Sequence, residues 1–142
     1  MGVGAFDGCT ALKDIYFNAI NMEDLTGGAF NRVGNNAPSP QLIIGTEVKR
    51  IPANLCASEE GNSIQRITFN NVSQCVEIGS SAFYNCSKLQ IINLPKSMKS
   101  IGNNAFQGCN SLFAVDYLGN DTDWKKILIA SGNEKLLSAN RM

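Results

Sequence analysis

Residues 78–116 read IGSSAFYNCSKLQIINLPKSMKSIGNNAFQGCNSLFAVD, and this stretch contains nearly the same phrase twice. IGSSAFYNCSKL at 78–89 is followed by IGNNAFQGCNSL at 101–112. The interval from Phe83 to Phe106 is 23 residues, and so is the interval from Cys86 to Cys109. A fixed period in the twenties is typical of a solenoid, in which one coil cannot bury its apolar side chains until a neighbouring coil stacks on it.

The same pattern extends towards the start of the chain with small departures. Phe6 and Phe30 occupy the position of Phe83 in two earlier copies, and Cys56 occupies it in the middle copy. About three extra residues fall within 34–40 and about two within 58–62, and extra residues in a solenoid usually emerge as loops. The pattern therefore predicts about five coils.

Each copy also contains a short run with two apolar residues two positions apart. Such alternation is typical of a β-strand, and strands repeated once per coil stack as a parallel sheet at about 4.8 Å spacing. The segment from the Ile-Gly pair through Phe to Leu has apolar residues about three apart, which predicts irregular structure or short helical turns. The predicted inward pairs are Ile15/Phe17, Leu42/Ile44, Ile67/Phe69, Ile92/Leu94 and Val115/Tyr117. The predicted fold is an α/β repeat solenoid.

The composition argues against several classes of partner. Lys plus Arg number 12 and Asp plus Glu number 12, so the formal net charge is zero. Nucleic acids and anionic membranes select basic surfaces, so neither is expected as the main partner. No apolar run approaches the length of a membrane span, and no signal peptide is visible at Met1. Membrane insertion is therefore not expected.

Catalytic, metal and cofactor sites are not expected either. The chain has no histidine and no C-x-x-C pair among its five cysteines, which disfavours a zinc site and a Cys-His or Ser-His pair. All five cysteines fall at positions where the repeat pattern predicts core, so we expect reduced, buried thiols. They are Cys9, Cys56, Cys75, Cys86 and Cys109. We predict no enzyme activity and no cofactor.

The tandem phrase, together with the tail YLGNDTDWKKILIASGNEKLLSA, resembles the BspA-like class of leucine-rich repeats. The resemblance implies a right-handed leucine-rich repeat solenoid and no catalytic residues. It also implies a cell-surface or secreted protein of a host-associated microbe, concerned with adhesion and protein binding. The chain begins in mid-repeat, with Met1 where Ile101 stands in the last copy, and whether it is a fragment of a longer protein stays open at this point.

The tail is expected to form a cap. We divide the chain into a solenoid at 1–118, whose first repeat is truncated, and a capping segment at 119–142. Trp124 lies three residues before Ile127, which is helical spacing, with Asp121 or Thr122 as the predicted N-cap. A binding role for this aromatic is the alternative to covering the last coil, which terminal repeats must do.

The strand face is the predicted binding surface, because solenoids bind through their extended concave side. One outward column falls between the inward pairs: Tyr16, Ile43, Thr68, Asn93 and Asp116. A second column falls just before it: Asp14, Gln41, Arg66, Ile91 and Ala114. The candidate site residues are Tyr16, Ile43, Arg66, Thr68, Ile91, Asn93 and Asp116. A solvated face that binds nothing is the alternative.

The predicted function is therefore non-catalytic binding or adhesion, with a protein or glycan surface as the partner. Two other interpretations remain open at this point. The chain could be a structural spacer that presents another domain, or a unit that self-associates end to end.

Overall fold

Two parallel β-sheets run along the chain in the computed structural model, which describes all residues 1–142. The first sheet has six strands in the order β1-β2-β4-β6-β8-β10, and the second has four in the order β3-β5-β7-β9. The strands of the first sheet are β1 (Asp14–Phe17), β2 (Gln41–Ile44), β4 (Arg66–Phe69), β6 (Ile91–Leu94), β8 (Ala114–Tyr117) and β10 (Asn140–Arg141). Those of the second are β3 (Arg50–Ile51), β5 (Glu77–Ile78), β7 (Ser100–Ile101) and β9 (Leu128–Ile129).

The alternation predicted for the first sheet is confirmed. In each four-residue strand the second and fourth side chains are buried, and these are the five predicted inward pairs. The first and third side chains are exposed or half-buried everywhere except in β8. There Ala114, expected to face outward, is buried because this small side chain is flanked by the paired residues Ile91 and Asn140.

The second sheet was not expected. The sequence predicts irregular structure or helical turns from the Ile-Gly pair onward, and this is wrong for the isoleucine of each pair. Ile51, Ile78 and Ile101 lie in two-residue strands that pair in register along the solenoid. A two-residue strand is too short to show an alternating pattern, which is why the sequence did not reveal it. The Ala-Phe stretch that follows consists of turns, in line with the prediction.

The core is a continuous cluster between the two sheets and the turns. The phenylalanine positions form its axis: Phe30, Phe83 and Phe106 are fully buried. The rings of Phe83 and Phe106 lie 5.4 Å apart, and those of Phe6 and Phe30 stack at 5.0 Å. Cys56 takes the place of a ring in the middle coil. From the second coil onward each coil therefore buries its aromatic or thiol side chain, as the repeat predicts, whereas Phe6 of the first coil is 36% exposed.

Residues 119–142 extend both sheets by one strand each. They contain helices α1 (Asp121–Trp124) and α2 (Glu134–Ser138), and their strands β9 and β10 pair with β7 and β8. Trp124 packs against the core and meets Tyr117 edge-on at 5.4 Å, while the Arg141 guanidinium lies 5.2 Å from the Trp124 ring centre. Neither helix is long and apolar enough to cross a membrane.

The N-cap of α1 differs from the prediction of Asp121 or Thr122. The cap is Asn120, whose extended backbone lets its side-chain oxygen accept from the Asp123 amide at 2.8 Å. Asp121 and Asp123 instead occupy the first turn, where negative charge is favourable beside the exposed amides of a helix start.

Candidate functional site

The strand face of the six-stranded sheet carries both predicted columns of outward side chains. Tyr16 is the most open member, with 67% of its surface exposed, because it lies on the edge strand β1. Ile43, Thr68, Asn93 and Asp116 are half-buried between their neighbours on the face. With strands about 4.8 Å apart, five positions span about 19 Å. The face is therefore an extended strip with one aromatic end.

The two columns differ in how closely their members are paired. In the second column, pairing is continuous from Asp14 through Gln41, Arg66 and Ile91 to Ala114. In the first column Tyr16, Ile43 and Thr68 pair in turn, and Asn93 pairs with Asp116. Between β4 and β6, however, only Arg66 with Ile91 and Ile67 with Ile92 are paired. The first column is thus divided after Thr68, which the sequence did not indicate.

Some polar groups of the face already bind one another. The Asn93 side-chain nitrogen donates to the Asp116 carboxylate at 2.8 Å, and the Gln41 nitrogen donates to the Asp14 carboxylate at 2.8 Å. Tyr16 and Arg66 have no such side-chain partner within the chain, so they are the groups of the face most available to a ligand.

A shallow groove of about 280 Å³ lies where the strands of this face begin. It is lined by Lys13, Ser39, Gln41, Gln65, Arg66, Gln90 and Ile91. Lys13, Gln65 and Gln90 were not among the predicted site residues, because only positions within the strands were considered. Each of them is the residue immediately before a strand of the first sheet. This shared position in the repeat could have identified them from the sequence.

The largest depression, about 640 Å³, lies away from this face, beside the first coil. It is lined by Met1, Ala19, Ile20, Asn21, Met22, Glu23, Asp24 and Leu25. No group of three or more His, Cys, Asp or Glu side chains is placed to hold a metal ion.

The cysteines are all free thiols, and four of them are buried as predicted. Cys9 is exposed, so the prediction of burial is wrong for this residue. It belongs to the first coil, which has a neighbouring coil on one side only. Burial raises the pKa of the Cys75 thiol to about 11 and that of Cys86 to about 12, and it raises the pKa values of Cys56 and Cys109 as well. These four therefore stay protonated and weakly nucleophilic at neutral pH.

We expect thiol titration to separate these two classes. In the folded protein Cys9 alone should react promptly with a thiol reagent such as dithionitrobenzoate, since only its thiol is open to solvent. After denaturation without reductant all five should react. A single reactive thiol in the denatured chain, with two disulfides found by mass mapping, would contradict the reduced state.

Asn133 ends the ladder of hydrogen bonds between coils, and the sequence did not single it out. The Phe83 amide donates to the Ala105 carbonyl of the next coil at 2.9 Å, and the amides of Phe6 and Cys56 make the equivalent bond. The Phe106 amide donates instead to the side-chain oxygen of Asn133 at 3.0 Å. The Asn133 nitrogen donates to the carbonyls of Gly102 and Ala130. A buried amide side chain thus replaces the backbone of a further coil.

Asn133→Ala should lower the free energy of unfolding by about 1–3 kcal/mol, because the buried Phe106 amide would lose its hydrogen-bond acceptor. Urea denaturation gives the measurement. Asn110→Ala is the matched control, because Asn110 is exposed and its side chain makes no hydrogen bond. Equal losses for the two variants would show that Asn133 does not terminate the ladder.

Comparison with known families agrees with this architecture. The family model for the BspA type leucine rich repeat region matches residues 1–113 with six copies of the repeat. The search of curated proteins and the search of solved structures gave no match. The matched region covers most of the chain. The two parallel sheets, which gain strands from successive coils, are consistent with that repeat. The chain belongs to the BspA-type leucine-rich repeat family.

Proposed function

We propose that the protein is a non-catalytic binding module that holds a partner protein against its strand face. Leucine-rich repeats generally serve as protein-interaction scaffolds, and a solenoid offers an extended surface rather than a deep site. The observation that carries the proposal is the open face of the six-stranded sheet, on which Tyr16 is 67% exposed and Arg66 has no partner within the chain.

The chemistry of the face suits a protein partner. Tyrosine and arginine are over-represented among the residues that dominate binding energy, because each combines a large contact area with directional hydrogen bonding. Tyr16 pairs directly with Ile43, so a ring and an aliphatic side chain lie side by side about 4.8 Å apart. Ile91 adds a second half-buried apolar group beside Arg66. Contacts spread over several coils would give modest affinity at each coil.

The finer proposal is adhesion at a microbial cell surface. It is supported by the family, whose members are typically surface-associated. We also propose the division into a solenoid at 1–118 and a capping segment at 119–142. It is supported by the two short helices of the second part, which the repeats lack.

The test is binding to arrays of extracellular-matrix proteins, serum proteins and glycans. A face variant with Tyr16→Ala, Ile43→Ser and Asn93→Ala should bind its array partner at least about tenfold more weakly than the wild type, a change of about 1.4 kcal/mol. The matched control carries Lys49→Ala, Gln74→Ala and Lys99→Ala, three exposed residues near the second sheet. It should bind as the wild type does.

Other outcomes would redirect the proposal. Unchanged binding by a folded face variant would move the contact to the loops at 31–40 and 58–62. Binding by neither protein to any component would favour the structural spacer. Concentration-dependent growth of the particle size in light scattering would instead favour end-to-end self-association.

A further inference from the structure

Arg66 is the one arginine of the chain without a carboxylate partner. Its side chain is exposed on the strand face, and no acidic group lies within ion-pair distance of it. The remaining arginines are all paired: Arg32 with Asp7 and Glu60, Arg50 with Asp24 and Glu77, and Arg141 with Asp121. An arginine held on a sheet with its five donors unused is available to an external acceptor.

The groove around Arg66 is polar and carries a second cation. Lys13, which also lacks an ion-pair partner, lies in the first coil and Arg66 in the third. Two strand spacings separate them, or about 10 Å. Gln41 lies in the coil between them, Gln65 immediately precedes Arg66, and Gln90 lies in the coil beyond. Ile91 is the only apolar residue of the groove. The groove therefore offers two positive charges and amide groups that can both donate and accept.

The nearest negative charge of the face is Asp14, which directly follows Lys13 in sequence but lies away from Arg66. Asp14 pairs in register with Gln41, two strand spacings from Arg66, and its carboxylate accepts from the Gln41 amide. At about 10 Å an exposed charge is largely screened at physiological salt. The Arg66 end of the groove thus keeps a local positive charge even though the net charge of the whole chain is zero.

We propose that this groove binds a short, extended, acidic segment of the partner protein, an inference that rests on the proposed function. Arg66 would hold one carboxylate in a bidentate pair and Lys13 a second, about 10 Å away. Alternate residues of an extended chain lie about 7 Å apart, and the long lysine and glutamate side chains can span the difference. The groove crosses four coils, or about 14 Å, enough for about four extended residues. The glutamine amides match the alternating donors and acceptors of a peptide backbone.

The probe is a capped ten-residue peptide in which glutamate alternates with threonine, and its control replaces every glutamate with glutamine. Fluorescence anisotropy should show binding of the acidic peptide only. Arg66→Gln should weaken that binding about tenfold, because a charge-assisted bidentate contact is lost. Lys13→Gln should weaken it about threefold, and Arg66→Lys should be intermediate because lysine cannot form the planar pair. Lys99→Gln, an exposed cation beside the second sheet, should change binding less than twofold.

Equal binding of the two peptides, or equal effects of Arg66→Gln and Lys99→Gln, would overturn the proposal. Arg66-dependent binding of polygalacturonate without binding of the peptide would also overturn it and assign the groove to acidic glycans. Binding of the partner identified on the array distinguishes failure of the groove proposal from failure of the proposed function. If the Tyr16, Ile43 and Asn93 substitutions abolish binding of that partner while Arg66→Gln leaves it unchanged, the strand face binds and the groove does not.

Discussion

Phe83→Ala is expected to lower the free energy of unfolding by about 3–5 kcal/mol, the loss found when a fully buried aromatic is cut back to a methyl group. The ring is completely buried and lies 5.4 Å from that of Phe106 in the next coil. Its removal leaves a cavity between two coils where the ring now packs. Because the coils stack one on another, the loss should weaken the whole solenoid rather than one loop.

Tyr84→Ala is the control, since Tyr84 adjoins Phe83 but is 38% exposed and does not recur with the repeat. We expect a loss within about 0.5 kcal/mol, as for an ordinary surface substitution. Equilibrium urea denaturation of both variants gives the comparison. Comparable losses would mean that the phenylalanine positions do not form the axis of the core.

Stability should fall steeply in alkali. A buried thiol has a higher pKa in the folded chain than in the unfolded chain, where it is near 9. Below pH 9 the thiol is protonated in both states, and its contribution to stability is fully present. As the pH rises from 9 towards the folded pKa, only the unfolded chain loses the proton, so stability falls. For Cys75 and Cys86 those folded values are about 11 and about 12. Burial raises the pKa values of Cys56 and Cys109 in the same sense. Each thiol should cost about 1.4 kcal/mol of unfolding free energy per pH unit in this range.

Urea denaturation at pH 8, 9, 10 and 11 would measure this slope. Other groups titrate in the same range, so the informative quantity is a difference between variants. Cys86→Ala should make the decline shallower than in the wild type by about 1.4 kcal/mol per pH unit. Identical slopes for the wild type and Cys86→Ala would show that the buried thiols do not govern alkaline stability.

The repeat accounts for most of what could be predicted about the fold. Phe83 and Phe106 recur because each coil needs the next to bury its ring, so a period in the sequence translates directly into stacked coils. The second sheet escaped notice because Glu77–Ile78 and its counterparts are only two residues long. The strand β10 escaped notice for the same reason. In these places the neighbouring coil, rather than a local pattern, determines the structure.

The candidate site was less predictable than the fold. Tyr16 and Arg66 could be assigned to the outward columns from alternation alone, but their lack of partners depends on contacts between coils that are distant in sequence. The bonds from Gln41 to Asp14 and from Asn93 to Asp116 join residues of adjacent coils in the same way. The first and last coils differ from the middle ones. Cys9 is exposed in the first coil although its counterparts Cys86 and Cys109 are buried. Asn133, beside the last coil, accepts the Phe106 amide in place of a backbone carbonyl.

Site-specific photo-crosslinking tests the central claim, that the strand face holds the partner, most directly. A benzophenone amino acid would replace Tyr16 on the strand face, Gln74 near the second sheet, or Glu59 in the loop at 58–62, all exposed positions. Each protein would be irradiated with the partner identified on the array. We predict a covalent adduct from position 16 and none from positions 74 and 59. An adduct from position 59 or 74 alone would contradict the assignment of the binding site to the strand face.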